Sequence, residues 1–324
     1  MTAESFRRHN PGIPFCTLLA DEADAEYEPG REPFETVYLD ELAVDHPAGF
    51  RFQYDELELS YASTPYLIDH LLERGYDGVV FLKQETLVLG SLEPEFEKLA
   101  RHSVLLTPHL LEPPGGERAV ETELNVLRAG VYNGGFVAFN GSEEARHVLR
   151  WWKQKTRWGC FRAVEEGVHF EQRWLDFVPC LAPSCHILRD PGMNVGHWNL
   201  PERKISASEG GVTAAGVPCR VFRFSGYQFE APQMVTRYNP HMTVESAGEA
   251  ARVFERYQAM LAAAGHRECQ QKRCAYGCFD NGVTVSGEAR RIYHDLGDEA
   301  RRFGDPFPAG HEGSYYRWLN EGKQ

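Results

Sequence analysis

The chain has 324 residues, 42% hydrophobic and 25% charged, which suits one large globular domain or a domain with an appendage. Its net charge of −13 argues against a nucleic-acid partner, because phosphate recognition along a polynucleotide needs a basic surface. A basic pocket for a small anion can still sit inside an acidic protein. No apolar run reaches the length of a membrane-spanning helix, and the start MTAESFRRHNPG lacks the apolar core of a signal peptide, so the cytoplasm is the expected compartment.

In chain order, residues 15–19 read as a strand and residues 36–39 as a short second one. TPYLIDHLLERGYDG predicts a helix with Pro65 just inside its start and Gly75 after its end, one face carried by Leu67, Ile68, Leu71 and Leu72. GVVFL (78–82) is apolar enough to be covered on both sides. A helix over 94–102 and a strand over 104–106 follow. LLEPPGGERAVETE (110–123) reads as a long, breaker-rich loop of the kind that forms lids. NGGFVAF is strand-like, and Ser142 is placed to cap the helix EEARHVLRWWKQK. CHILRD and CRVFRF supply two later strands, after which two amphipathic helices, over 245–265 and 286–304, and an aromatic end, GSYYRWLN, complete the chain. This alternation predicts an α/β fold with a mostly parallel sheet flanked by helices, residues 1–236 forming the sheet domain and 237–324 a helical extension packed on it.

Eight cysteines are present. Cys16, Cys160, Cys180, Cys185 and Cys219 are scattered and read as reduced fillers. Cys269, Cys274 and Cys278 cluster, but three soft ligands without a fourth at suitable spacing do not make a zinc site.

Ligands of open α/β sheets bind beyond the carboxyl ends of strands, and the sequence DGVVFLKQETLVLG puts Lys83 and Glu85 at such an end. Side chains two apart on extended backbone point the same way, so both can face one ligand; an exposed turn is the plainer reading. Asn133 precedes Gly134 and Gly135, where backbone can approach a ligand closely. HFEQRWLDFVP carries Glu171, Gln172 and Asp176 among aromatic residues; a solvated carboxylate and a structural amide are the plainer readings. DPGMNVGHWNL strings together Asn194, His197, Trp198 and Asn199. No P-loop, dinucleotide loop, metal cluster or nucleophile triad is present by spacing.

The segments LLERGYDGVVFL, LVLGSLEPEF, VLLTPHLLEP, ELNVLRAGVYNGGFVAF, FEQRWLDFVP, ILRDPGMNVGHWNL and FRFSG, with AYGCFDNGV and GDPF…SYYRWLN near the end, resemble a bacterial family of GT-A-fold glycosyltransferases, and more distantly the glycogenin-like transferases. The resemblance covers nearly the whole chain. It implies a Rossmann-type GT-A sheet, a nucleotide-diphosphate sugar as donor and transfer of the sugar to an acceptor. It also implies that the chain begins after the family's first strand. The family's strand end usually reads Leu-Asp-x-Asp, whose carboxylates hold a divalent ion against the diphosphate, with a later histidine joining them. Here those positions carry Lys83, Glu85 and Arg223, and Thr64 stands where relatives commonly have lysine before proline.

The expectation that follows is a metal-independent transferase. Lys83 and Arg223 supply the charge of the missing ion, Arg223 offering a fork to phosphate, and Glu85 binds a donor hydroxyl or orients Lys83. Asn133 and Gly134 shape the sugar's site. Glu171 and Gln172 match the family's Asp-Gln pair near the anomeric carbon, as base and as oxocarbenium stabiliser. His197 is a further base, because an ordinary imidazole titrates near working pH. Asn194, Trp198 and Asn199 are acceptor or sugar contacts, and no divalent metal is needed. The alternatives are a homologue that binds or scaffolds without catalysis, and an enzyme of another class reusing the pocket.

Overall fold

A computed structural model describes residues 1–321. The chain forms two compact units that interleave in sequence: Met1–Phe15, Gly75–Val148 and Gln172–Gln271 make the first, and Cys16–Arg74, Leu149–Glu171 and the chain from Lys272 onward make the second. Residues 237–271 group with the sheet, whereas those from 272 onward group with 16–74 and 149–171.

The first unit is built on a four-stranded sheet in the order Gly78–Leu82, Tyr132–Asn140, Val104–Pro108, His186–Ile187. Val104 to Leu106 and Phe136 to Phe139 are wholly buried, as expected of strands covered on both faces. The mostly parallel sheet expected from the sequence is corrected. Tyr132–Asn140 runs antiparallel to both neighbours, and only Val104–Pro108 with His186–Ile187 is a parallel pair in this sheet. The reason lies in the connection after Val104–Pro108. Pro108 pairs with Tyr132, so the intervening excursion leaves and re-enters the sheet at the same end. It is an enlarged hairpin rather than a crossover. That excursion also holds a helix, Ala119–Ala129, where a loop was expected. The breakers end at Gly116, and the good helix formers after it take over until Gly130, whose φ of 113° stops the helix.

A second layer of the same unit pairs Thr86–Val88 antiparallel with Val221–Arg223, and Val195 bridges Phe222 from the other side. Phe222 and Phe224 turn into a core shared with Val253, Phe254 and Tyr257 of the helix Ala251–Ala263; the Phe224 and Tyr257 rings stack at 3.6 Å. Strand alternation therefore drives Arg223, between those two phenylalanines, to the opposite face.

In the second unit, Cys16–Leu19 and Glu35–Tyr38 form a parallel pair. The helix Thr64–Glu73 starts with Pro65 in its first turn, as predicted, and Thr64 is buried there. Phe52 packs against Phe279, Tyr293, Phe307 and Tyr315. The guanidinium of Arg290 donates to the carbonyls of Phe52, Tyr54 and Tyr276. The two long late helices are both interrupted at glycines. Gly248 (φ 60°) lies within the short 3-10 turn before Ala251–Ala263, and Gly297 (φ 55°) follows Gly287–Asp295. No helix of the described residues is long and apolar enough to cross a membrane.

Candidate functional site

The strand Gly78–Leu82 continues its ladder one residue further, Lys83 N–H donating to the Gly135 carbonyl at 3.1 Å. Gln84 turns outward, and Lys83 is 6% exposed. Glu85 leads into the second layer, its carbonyl accepting from Phe224 N–H at 2.9 Å. The Glu85 carboxylate is drawn inward because Arg223 arrives at the same place from Val221–Arg223. Its Nη2 donates to Glu85 Oε1 at 2.5 Å, and its Nη1 donates to Asn133 Oδ1 at 3.2 Å. The guanidinium lies flat against the backbone at Gly135, where a Cβ would come within 0.9 Å of Nη1. Only glycine admits that approach.

Burial by itself would raise the Glu85 carboxyl. The charge of Arg223, then that of Lys83, overcomes this and holds it below the ordinary carboxylate value. The fork that the sequence reading aimed at phosphate is occupied by Glu85 and Asn133, and Arg223 is 2% exposed. Its contribution to an anion would act through space, and Lys83 is the cation placed at the strand end. A divalent ion does not fit this set: the single carboxylate already holds a guanidinium, and a lysine stands beside it. Among the described residues no group of three or more His, Cys, Asp or Glu is arranged to hold a metal.

Asn133 anchors the neighbouring backbone. Its Oδ1 also accepts from Gly135 N–H at 2.8 Å, and its Nδ2 donates to His109 Nε2 at 3.0 Å. The His109 proton is then on Nδ1, which faces the Val131 carbonyl at 3.2 Å. His109 was not singled out from the sequence, although its place after the strand Val104–Pro108 was the available signal. Gln172 accepts from Gly134 N–H at 2.8 Å and donates to the Ala129 carbonyl at 2.9 Å. Its amide is therefore engaged in shaping the Gly134–Gly135 backbone, the plainer of its two expected roles. Asp176 does similar work at the strand's start, accepting from Val131 N–H.

The segment 194–199 lies against the Arg223 strand. Val195 N–H donates to the Val221 carbonyl, and Arg223 N–H to the Val195 carbonyl. Asn199 is fully buried and ties this segment to His109, donating to the carbonyls of His109 and Asn194 and accepting from Gly196 N–H. Trp198 covers Gly196 and meets the His109 and His197 rings edge-on. The expected match of His197 to working pH does not hold. Burial, then the charge of Arg223, lowers its imidazole to about 4, so it is neutral at pH 7 and a weak base.

Asn194 is different in kind. It is fully buried in the left-handed region (φ 54°), and neither its amide oxygen nor its nitrogen has a hydrogen-bond partner. Trp198 Nε1, Arg223 Nε and Thr86 Oγ1 are buried without partners as well. Such groups are rare and expensive in a resting fold. Thr86 is the register partner of Arg223, so two of these orphaned groups are cross-strand neighbours.

Glu171 falls in the second unit's chain. It is buried, and its carbonyl accepts from Trp152 Nε1 at 3.0 Å.

No family model matches the chain. Among curated proteins it is similar to the uncharacterized proteins YfnF and YfnD of Bacillus subtilis, at 28% identity over 177 residues and 23% over 174. These alignments take in 54% and 52% of this chain. The chain spans 58% and 54% of the length of those two relatives. Among solved structures it is similar to that of the galactosyltransferase LgtC in complex with donor and acceptor sugar analogues. The TM-score is 0.47 at 14% identity, over 80% of this chain and 90% of that one; at that level the likeness decides nothing about chemistry.

Proposed function

We propose that this chain is a glycosyltransferase-type protein that binds a nucleotide-diphosphate sugar without a divalent cation. The observation that carries the reading is the meeting of Lys83, Glu85 and Arg223 at one strand end. The motif series in the sequence adds the donor class. When a sugar leaves a nucleotide diphosphate, the bond from the anomeric carbon to the diphosphate oxygen breaks and negative charge builds on that oxygen. A fixed cation nearby stabilises the charge more in the transition state than in the bound donor. Lys83 fills that role. Glu85 and Arg223 hold each other and set the local field. Asn133, Gln172 and the Gly134–Gly135 backbone form a rigid wall beside it, held through His109. Asn194, with its unpartnered amide, and Trp198 are assigned to hydroxyls of the sugar or the acceptor. Glu171 is proposed as a base by the family resemblance alone, and His197 is held neutral and weakly basic.

The engagement of Arg223 by Glu85 and Asn133 favours one second reading, a homologue that binds nucleotide sugars without turning them over. One experiment separates the two. Purified protein is incubated with a panel of nucleotide sugars in EDTA, and nucleoside diphosphate release is measured beside calorimetric binding. Release that persists in EDTA supports the transferase, and binding without release supports the second reading. Binding that requires Mn²⁺ or Mg²⁺ would defeat the metal-free site, and no binding at all would defeat both.

A further inference from the structure

The helix Ala119–Ala129 is inverted relative to an ordinary surface helix. Its half-buried positions are Ala119, Thr122, Val126 and Ala129, mostly small, and none of its residues is fully buried. The larger aliphatic groups face water: Val120 is 66% exposed, Leu124 44%, Leu127 54% and Val131, just past the helix, 37%. Within the helix, Val120, Leu124 and Leu127 are spaced by four and three residues, as in the seam between two packed helices. Phe177, 56% exposed, adds to the Val131 end, since it follows the Asp176 that accepts from Val131 N–H.

We propose that this seam is the interface of a homodimer, the helix packing antiparallel on the same helix of a second copy across a two-fold axis. An axis midway between Leu124 and Leu127 sets each Leu124 on the partner's Leu127, and each Val120 toward the end of the partner's helix. Glu121 and Arg128 are exposed, seven residues apart, and so lie on one edge of the helix. The antiparallel arrangement puts Glu121 beside the partner's Arg128 twice per dimer. Within one copy Glu121 has only a loose, exposed pairing with Arg118 at 3.8 Å, which contributes little. Glu117, Glu121 and Glu123 on the same stretch oppose an anionic membrane as the occupant. The apolar seam offers on the order of 400 Å² per copy, so two copies with their polar flanks reach about 1,000 Å², the lower end for a specific interface.

Sedimentation velocity and light scattering on the full chain, from about 1 to 200 μM, test this. The expected result is a concentration-dependent dimer. Leu124→Glu is expected to weaken it at least about a hundredfold, because two copies of the side chain leave the seam. Glu121→Arg and Arg128→Glu are each expected to weaken it about fivefold. The double variant carrying both restores wild-type association, a pattern that only a second copy of this helix produces. Circular dichroism should be unchanged throughout, since all three positions are on the surface. A monomer at every concentration overturns the proposal, as does a dimer indifferent to Leu124→Glu, or a charge swap that fails to restore. Monomeric protein that floats with neutral lipid vesicles and loses this with Leu124→Glu would assign the seam to a lipid surface and likewise overturn it.

Discussion

Replacing Arg223 with methionine keeps most of its volume but removes a charge that is 2% exposed, 2.5 Å from the Glu85 carboxylate and 3.2 Å from Asn133 Oδ1. Removing one partner of a buried pair commonly costs about 3–5 kcal/mol. Here the Glu85 side chain keeps 19% of its exposure, its carboxyl still feels Lys83, and Asn133 Oδ1 keeps the Gly135 N–H. The expected cost is therefore at the lower end, about 2–3 kcal/mol. Glu85→Gln should cost a similar amount, because it takes from the buried Arg223 guanidinium the carboxylate it pairs with. The double variant should lose less than the two single variants together, since it removes both members of the ion pair. Hydrogen exchange of peptides spanning 83–89 and 219–225 is the suitable assay, because it reads local opening. Nucleotide binding gives an independent readout. Glu85→Gln adds one positive charge and should tighten diphosphate binding while loosening the fold. Single variants as protected as wild type, or a double variant whose loss is the sum of the singles, would refute the idea that these charges form one buried unit.

Three further outcomes are expected. His197 is lowered to about 4 from an ordinary 6.5, so the unfolded chain binds more protons between those values. Stability should then fall as pH drops through that window, by up to on the order of 3 kcal/mol, and His197→Gln should flatten the profile measured by denaturant midpoint. Lys83→Asp combined with Arg223→His rebuilds a carboxylate–carboxylate–histidine set with Glu85. Calorimetry should then detect Mn²⁺ binding in the double variant and none in wild type; a variant that folds yet ignores Mn²⁺ would show that the strand ends do not converge on an ion-sized site. Asn194→Gly relieves the left-handed backbone and removes an amide that has no partner in the resting fold. Its stability should stay within about 1 kcal/mol of wild type while sugar or acceptor affinity drops; a large loss of stability would show that the amide has a structural partner.

Much of this was legible in residue order alone. Apolar runs marked Gly78–Leu82, Val104–Pro108 and Tyr132–Asn140, because a strand's covering is written into its own consecutive side chains. Charge at a strand end drew attention to Lys83 and Glu85, and glycines beside Asn133 announced a close approach. What the approach admits was not visible: the group lying on Gly135 is the guanidinium of Arg223, which meets Glu85 across 138 positions of sequence. The antiparallel return from Pro108 to Tyr132 was equally hidden, since a helix that crosses a sheet and one that comes back to the same end have the same periodicity. Gln172 reads either as a structural amide or as a ligand contact and Asn199 as a ligand contact, and both amides bond to backbone; His197 reads as a base of ordinary strength, whereas burial and Arg223 lower it. Local pattern is set by neighbours along the chain, and the sequence by itself determined the strands, the helical faces and the charged residue types at the strand end. Pairing partners, protonation and the net charge of the cluster arise between residues brought together through space, and those were decided by the tertiary structure.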